Sequence, residues 1–279
     1  MKAPGKRGRR ERIKNSVSRI FAGLVYLFLY IPIAVVVLFS FNTSRRNIVF
    51  EGFTLNWYKE LTKNTALLEA FRNTLIVSGT STVIATAVGT LAAIGMFRHK
   101  FKGRSLIDAL LYIPVVIPEI VLGIALLSVF SIARIPLGLG SMILAHTTFC
   151  IPFVVFTVRA RLAGFDKSIE EAAMDLGANR VKVLFGITLP IIAPGIASGA
   201  ILAFTLSIDD IVISYFATGP SGTTLPLKIM EQVRAGVKPD VYALSAVIML
   251  VTFLGVLGSQ IIAYRGAKKM ALAKDKGDL

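Results

Sequence analysis

The chain has 279 residues, 54% hydrophobic and 17% charged, against about 45–50% apolar and about 25% charged in soluble domains. That composition excludes an ordinary soluble globular protein and leaves room for about six membrane helices with modest loops, but no large extra domain. Lys and Arg number 31 against 16 Asp and Glu, a net charge of +15, which in a membrane chain reports topology and contact with anionic lipid rather than nucleic-acid binding.

In chain order, residues 1–19 form a basic tail holding eight Lys and Arg. The apolar run that follows continues from 20 to 41, longer than the about 7–15 residues of a secretory h-region, and predicts an uncleaved first helix. Charge-free stretches at 20–44, 73–97, 183–208 and 241–264 predict four spans. Residues 109–133, interrupted only by Glu119, and 135–158, with His146 as their titratable group, predict two more. The expected fold is an all-α membrane protein with a six-helix domain over 20–264, flanked by basic tails at 1–19 and 265–279. Segments on one side of this arrangement carry 22 of the Lys and Arg, and those on the other carry 9. The positive-inside rule then puts both termini and the 159–190 loop in the cytoplasm, and the chain in the cell's inner membrane.

Motifs for intrinsic catalysis are missing. Residues 219–224 read GPSGTT, with glycines but without the lysine of a phosphate loop, and no H-E-x-x-H, C-x-x-C or G-x-S-x-G occurs. One cysteine, Cys150, and two histidines, His99 and His146, exclude a disulfide framework and a histidine-rich metal site. The expectation is a non-enzymatic chain with no metal. His146 reads as a packed, hydrogen-bonded residue, Cys150 as a buried small apolar group, and Trp57 and Tyr58 as interfacial anchors on a short surface helix.

The most informative loop reads SIEEAAMDLGA at 168–178. Ser168 followed three residues later by Glu171 forms a capping-box pattern, and Gly177 is suited to a left-handed helix end. A second helical segment is expected from Asn179 to about Leu189, ending as Pro190 arrives. By itself this is an amphipathic pair at the membrane surface or a solvated loop. The spacing Glu171-Ala172-Ala173, three residues, Gly177, nine residues, Ile187, one residue, Leu189-Pro190 resembles the "EAA" loop of permease subunits from binding-protein-dependent ABC importers. The resemblance implies the type I importer architecture and assigns Glu171, Ala172, Ala173 and Gly177 to a coupling helix that docks on an ATPase. It further implies a second permease subunit, a cytoplasmic ATPase dimer carrying ATP and Mg, and an extracytoplasmic solute-binding protein, with no cofactor held by this chain.

Residues 39–44, Trp57-Tyr58, 146–150, 203–210 and 225–229 are similar to spermidine/putrescine importer permeases, the second subunit in particular, and the similarity covers roughly 26–263. Tyr242 stands where those relatives are expected to carry Asn. A polyamine offers ammonium groups with a pKa of about 10.4 separated by methylenes, so its path should combine carboxylates with aromatic walls. Acids at bilayer depth are functional candidates by default. Glu119, Asp209 and Asp210, with Phe204, Tyr215 and Phe216, fit that chemistry through charge and cation–π contact. The prolines at 114 and 118 are expected to break the helix before Glu119. Rival cargoes are an aminophosphonate, an opine or ferric iron; the rival mechanism is an ATP-independent secondary transporter. The helix cores contain acids and no Lys or Arg, which disfavours an anionic cargo, and no ionisable relay runs through successive helices.

Overall fold

The computed structural model describes residues 6–44, 49–220, 222–235, 238–254 and 257. Its elements are α1 (Lys6–Phe39), α2 (Asn56–Leu61), α3 (Thr65–Arg98), α4 (Arg104–Val116), α5 (Glu119–Ile132), α6 (Leu139–Leu162), α7 (Ser168–Asp175) and α8 (Arg180–Val183). A π-helical turn (Leu184–Thr188) leads into α9 (Leu189–Ile208), followed by α10 (Val212–Ala217), α11 (Leu225–Ala235) and α12 (Pro239–Leu254).

Among the described residues, four helical stretches are long and apolar enough to cross a bilayer: Asn15–Phe39, Thr65–Arg98, Leu139–Leu162 and Arg180–Ile208. The 34 residues of α3 rise about 51 Å at 1.5 Å each, well beyond a hydrocarbon core of about 30 Å. Its charged Glu69, Arg72 and Arg98 accordingly lie near its two ends.

The sequence reading of six spans needs correction here. Helices α4 and α5, of 13 and 14 residues, each rise only about 20 Å, so neither crosses alone. They meet at 115°. The break falls at Ile117, extended at φ −72° and ψ 137° because the ring of Pro118 excludes the helical conformation from the residue before it. Counting this bent pair as one crossing gives up to five among the described residues. Helix α12 is a shorter apolar helix, and most of the predicted stretch beyond Leu254 lies outside the described residues, as do the side chains of much of the basic N-terminal tail.

The described chain forms two compact units, one of residues up to Asn64 together with those from Gln232 onward, the other Thr65–Glu231. In the first, the loop after α1 is knotted around Asn42. The Trp57 indole N–H donates to the Asn42 carbonyl at 2.5 Å, the Asn42 side-chain amide donates to the Val49 carbonyl at 2.8 Å, and its Oδ1 accepts from the Glu51 N–H at 2.8 Å. Ser40 and Tyr58 hydroxyls meet at 2.7 Å. Trp57 is therefore buried as a loop clasp and not a lipid-facing anchor.

In the second unit, α3, α6 and α9 pack on one another, with α10 against α5 and α6 and α4 against α6. The core includes Val77, Ala85, Met142, Cys150, Val154, Val158 and Ile192. Small residues let the backbones approach, as is usual where lipid offers no hydrophobic drive for helix association. A Cβ on Gly89 of α3 would stand 2.8 Å from the Val154 Cβ of α6.

Candidate functional site

Two regions of the second unit carry the residues singled out by sequence. The first is α7 with its flanks. Its start is set by Asp166, whose Oδ1 accepts from the Ser168 N–H at 2.9 Å; this contact, with a further one from the Ser168 side chain, holds the Asp166 carboxyl below its ordinary value. The expected Ser168/Glu171 capping box does not form, because Ser168 is already inside the helix. Glu170 and Glu171 in the first turn match the helix dipole.

The end of α7 is the one the sequence predicts. Gly177 takes φ +87°, its N–H donates to the Met174 carbonyl at 2.9 Å, and the Ala178 N–H reaches back to the Ala173 carbonyl at 3.0 Å. That bond pair is a Schellman motif. Asn179 then caps α8 by accepting from the Lys182 N–H at 2.8 Å. The second segment does not stop at Pro190. The Leu189 N–H reaches the Leu184 carbonyl, a π-type bond whose extra residue shifts the register so that Pro190, which has no N–H to donate, falls in the first turn of α9. Helix therefore runs from Arg180 to Ile208.

Glu171, Ala172, Asp175 and Gly177 are exposed and Ala173 is half-buried. Beside them Ile169, Met174 and Leu176 are exposed, Leu176 at 90%, so α7 presents a mixed apolar and acidic face outward. Sequence reasoning passed over Glu170. It is buried, with its Oε1 accepting from Arg98 Nη2 and from the Thr188 hydroxyl, each at 2.5 Å. The available signal was that a helix with Glu171 outward must turn the neighbouring Glu170 about 100° away.

The second region lies where α9 ends. Asp209 follows Ile208 as an exposed helix-ending residue, while Asp210 is buried. Asp210 accepts from the Ile213 N–H at 3.2 Å and the Ser214 N–H at 2.7 Å, closing the start of α10. Its Oδ2 is 3.4 Å from His146 Nε2. His146 Nδ1 lies 2.6 Å from the Ser207 hydroxyl and Nε2 lies 2.9 Å from that of Ser214, and Ser207 meets Ser81 at 3.2 Å. A buried polar knot thus joins α3, α6, α9 and α10. Cys150 is buried and donates its thiol to the Ala203 carbonyl at 3.4 Å.

Glu119 is exposed at the first position of α5. One turn on, Gly123 receives the Phe216 ring so closely that a Cβ would stand 2.4 Å from Phe216 Cδ2. Phe216 meets Tyr215 edge-on at 5.4 Å, and Tyr215 is 66% exposed. The fold therefore gathers Phe216, Tyr215 and the Glu119 end of α5 into one neighbourhood. Phe204 is half-buried on α9 and makes no ring contact with another described aromatic. Neither Glu119 nor Asp209 has an ion-pair or hydrogen-bond partner among the described residues. The same residues contain no cluster of His, Cys, Asp and Glu able to hold a metal ion.

Residues 85–271 match the model of a family described as the binding-protein-dependent transport system inner membrane component. The spermidine/putrescine transport system permease protein PotC of Escherichia coli (strain K12) is 43% identical over 243 residues, 87% of this chain and 92% of that protein. The putrescine transport system permease protein PotI of the same strain is 40% identical over 233 residues, 81% of this chain and 83% of that protein. Among solved structures, a chain of a bacterial ABC transporter involved in the import of the acidic polysaccharide alginate superposes with a TM-score of 0.70 at 13% identity, covering 94% of this chain and 98% of that one.

Proposed function

Because this chain belongs to the binding-protein-dependent transport system inner membrane component family, we propose that it is the membrane permease of an ATP-driven importer of polyamines, spermidine or putrescine or both. It catalyses no reaction. The working assembly pairs it with a second permease, a cytoplasmic ATPase dimer that holds ATP and Mg, and an extracytoplasmic solute-binding protein that delivers the cargo. The chain crosses the inner membrane several times, with the α4–α5 pair as one bent crossing. Both tails and α7 face the cytoplasm, in keeping with the excess of Lys and Arg in those segments.

The observation that carries the coupling assignment is α7 itself. It is a short helix outside the spans, closed at both ends by its own hydrogen bonds, with Glu171, Ala172 and Gly177 at the surface. Glu171, Ala172, Ala173 and Gly177 form the docking segment, with Glu171 pairing with a basic residue of the ATPase. ATP-driven closure of that partner displaces α7, and the helix bundle exchanges an inward-facing path for an outward-facing one.

For the cargo, Glu119 and Asp209 offer unpaired carboxylates to ammonium groups, and Tyr215, Phe216 and Phe204 offer aromatic wall. Asp210 belongs to the same path as the residue that holds α10, and hence Tyr215 and Phe216, in place. The test is uptake of labelled putrescine and spermidine by cells lacking the gene, before and after its restoration. Restored uptake is the expected result, and no uptake of either polyamine by a fully assembled complex would refute the cargo assignment.

A further inference from the structure

The Arg98–Glu170–Thr188 triangle is a feature that the docking of α7 does not require. Thr188 Oγ1 donates to Glu170 Oε1 at 2.5 Å and accepts from Arg98 Nη2 at 2.8 Å, while Arg98 Nη2 also reaches Glu170 Oε1 at 2.5 Å. Three side chains from the last residue of α3, the first turn of α7 and the π turn before α9 thus close on one another. Glu170 and Thr188 are both buried. Charge pairs withdrawn from water seldom add net stability, so what the triangle supplies is a fixed relation among three elements.

The π turn explains how Thr188 reaches it. One extra residue in the helical register rotates every later side chain by about 100° relative to an unbroken α-helix. In this register the Thr188 hydroxyl meets both Glu170 and Arg98. Two further contacts tie the same ends together: Lys167 Nζ lies 4.5 Å from the Phe97 ring centroid, and Phe97 meets Phe165 edge-on at 6.3 Å. The linkers at 163–167 and 176–179 are turns and coil rather than continuous helix, so side-chain contacts add a second route, beside the backbone, for force out of α7.

We propose that Arg98, Glu170 and Thr188 are positioning residues that form a transmission clamp, through which displacement of α7 moves α3 and α9 as one body. This rests on the reading of α7 as the docking helix. The test uses the complete assembly in proteoliposomes, with uptake and ATP hydrolysis measured in the same vesicles. A second readout is the distance between spin labels at Asp175 on α7 and Ser198 on α9.

Thr188→Val, which keeps the shape and removes the hydroxyl, should lower polyamine moved per ATP hydrolysed by about tenfold, the scale of one charge-assisted hydrogen bond. ATPase binding should not change. Thr188→Ser should restore the ratio. Exchanging the charges as Arg98→Glu with Glu170→Arg should recover more uptake than either single change, since a cavity of about 330 Å³ lined by Arg98, His99, Glu170, Met174, Arg180 and Val183 gives the exchanged side chains room. On ATP addition the label distance should stay fixed in the wild type and change in Thr188→Val. A Thr188→Val complex with wild-type uptake per ATP and a fixed label distance would overturn the clamp. A wild-type complex that holds the label distance, loses it in Thr188→Val, and carries no polyamine would uphold the clamp and sink the cargo reading instead.

Discussion

Replacing Gly177 isolates backbone conformation from packing. The residue sits at φ +87° with nothing of this chain within 4 Å of the position a Cβ would take, so any loosening of the helix end on substitution comes from the left-handed backbone. For an L residue with a Cβ that conformation costs about 1–2 kcal/mol, equivalent to about a 5- to 30-fold fall in the ratio of closed to open helix ends. Asn tolerates the region best among residues with a side chain, Ala less well, and a β-branched residue least. Coupled uptake should therefore fall in the order Gly177→Asn, Gly177→Ala, Gly177→Val, with ATP hydrolysis falling less than uptake. Hydrogen exchange at the Gly177 and Ala178 amides, which donate to Met174 and Ala173, should speed up in the same order. The assay is labelled polyamine uptake against ATP turnover in reconstituted vesicles. Equal amide exchange in the Asn and Val variants would refute the argument, since within this chain their difference has no source other than backbone strain.

Other substitutions probe the remaining assignments. Glu119→Gln and Asp209→Asn, at exposed and unpaired carboxylates, should reduce uptake several-fold while membrane levels stay normal; wild-type uptake by both would remove them from the path. Asp210→Ala should instead lower the amount of folded chain, because it strips the Ile213 and Ser214 amides of their acceptor beside His146; Asp210→Asn, which keeps an acceptor, should recover much of that amount on a membrane blot. Gly123→Leu should displace the Phe216 ring and impair uptake, since even a Cβ would come within 2.4 Å of it, and uptake equal to wild type would show that this ring position is unimportant. At Asp166 the depressed carboxyl makes the cap complete at neutral pH and above its unfolded value, and the cap is lost as pH falls through its lowered folded value. Protection of the first-turn amides of α7, taken relative to their intrinsic exchange rate at each pH, should accordingly fall in acid in the wild type and be low at all pH in Asp166→Ala.

Charge-free runs announced the long helices because a span must satisfy its own backbone and exclude ions, and both requirements are written locally in the sequence. Gly177 was legible for the same reason, since a left-handed end needs a particular residue at a particular place. What escaped was set by tertiary geometry. The capping box failed because Asp166, two residues upstream, reached the Ser168 amide first, and both acceptors obey the same preference for short oxygen-bearing side chains. Pro190 read as a stop, yet the π bond from Leu189 to Leu184 gave the chain a register in which proline costs nothing.

The same contrast divides the acids. Asp209 and Asp210 are identical in sequence terms, and helix periodicity says only that they point about 100° apart. Which of them is buried depends on where α9 stops, beside the knot of His146, Ser207 and Ser214, contributed by three different helices. With the helix ended at Ile208, Asp210 turns inward to close α10 and Asp209 is left at the surface. One carboxylate is thereby committed to architecture, and its neighbour stays exposed, as the proposed cargo path requires. A carrier needs both kinds: a wall that holds its aromatic rings at fixed positions, and charges whose water can be exchanged for an ammonium and then returned.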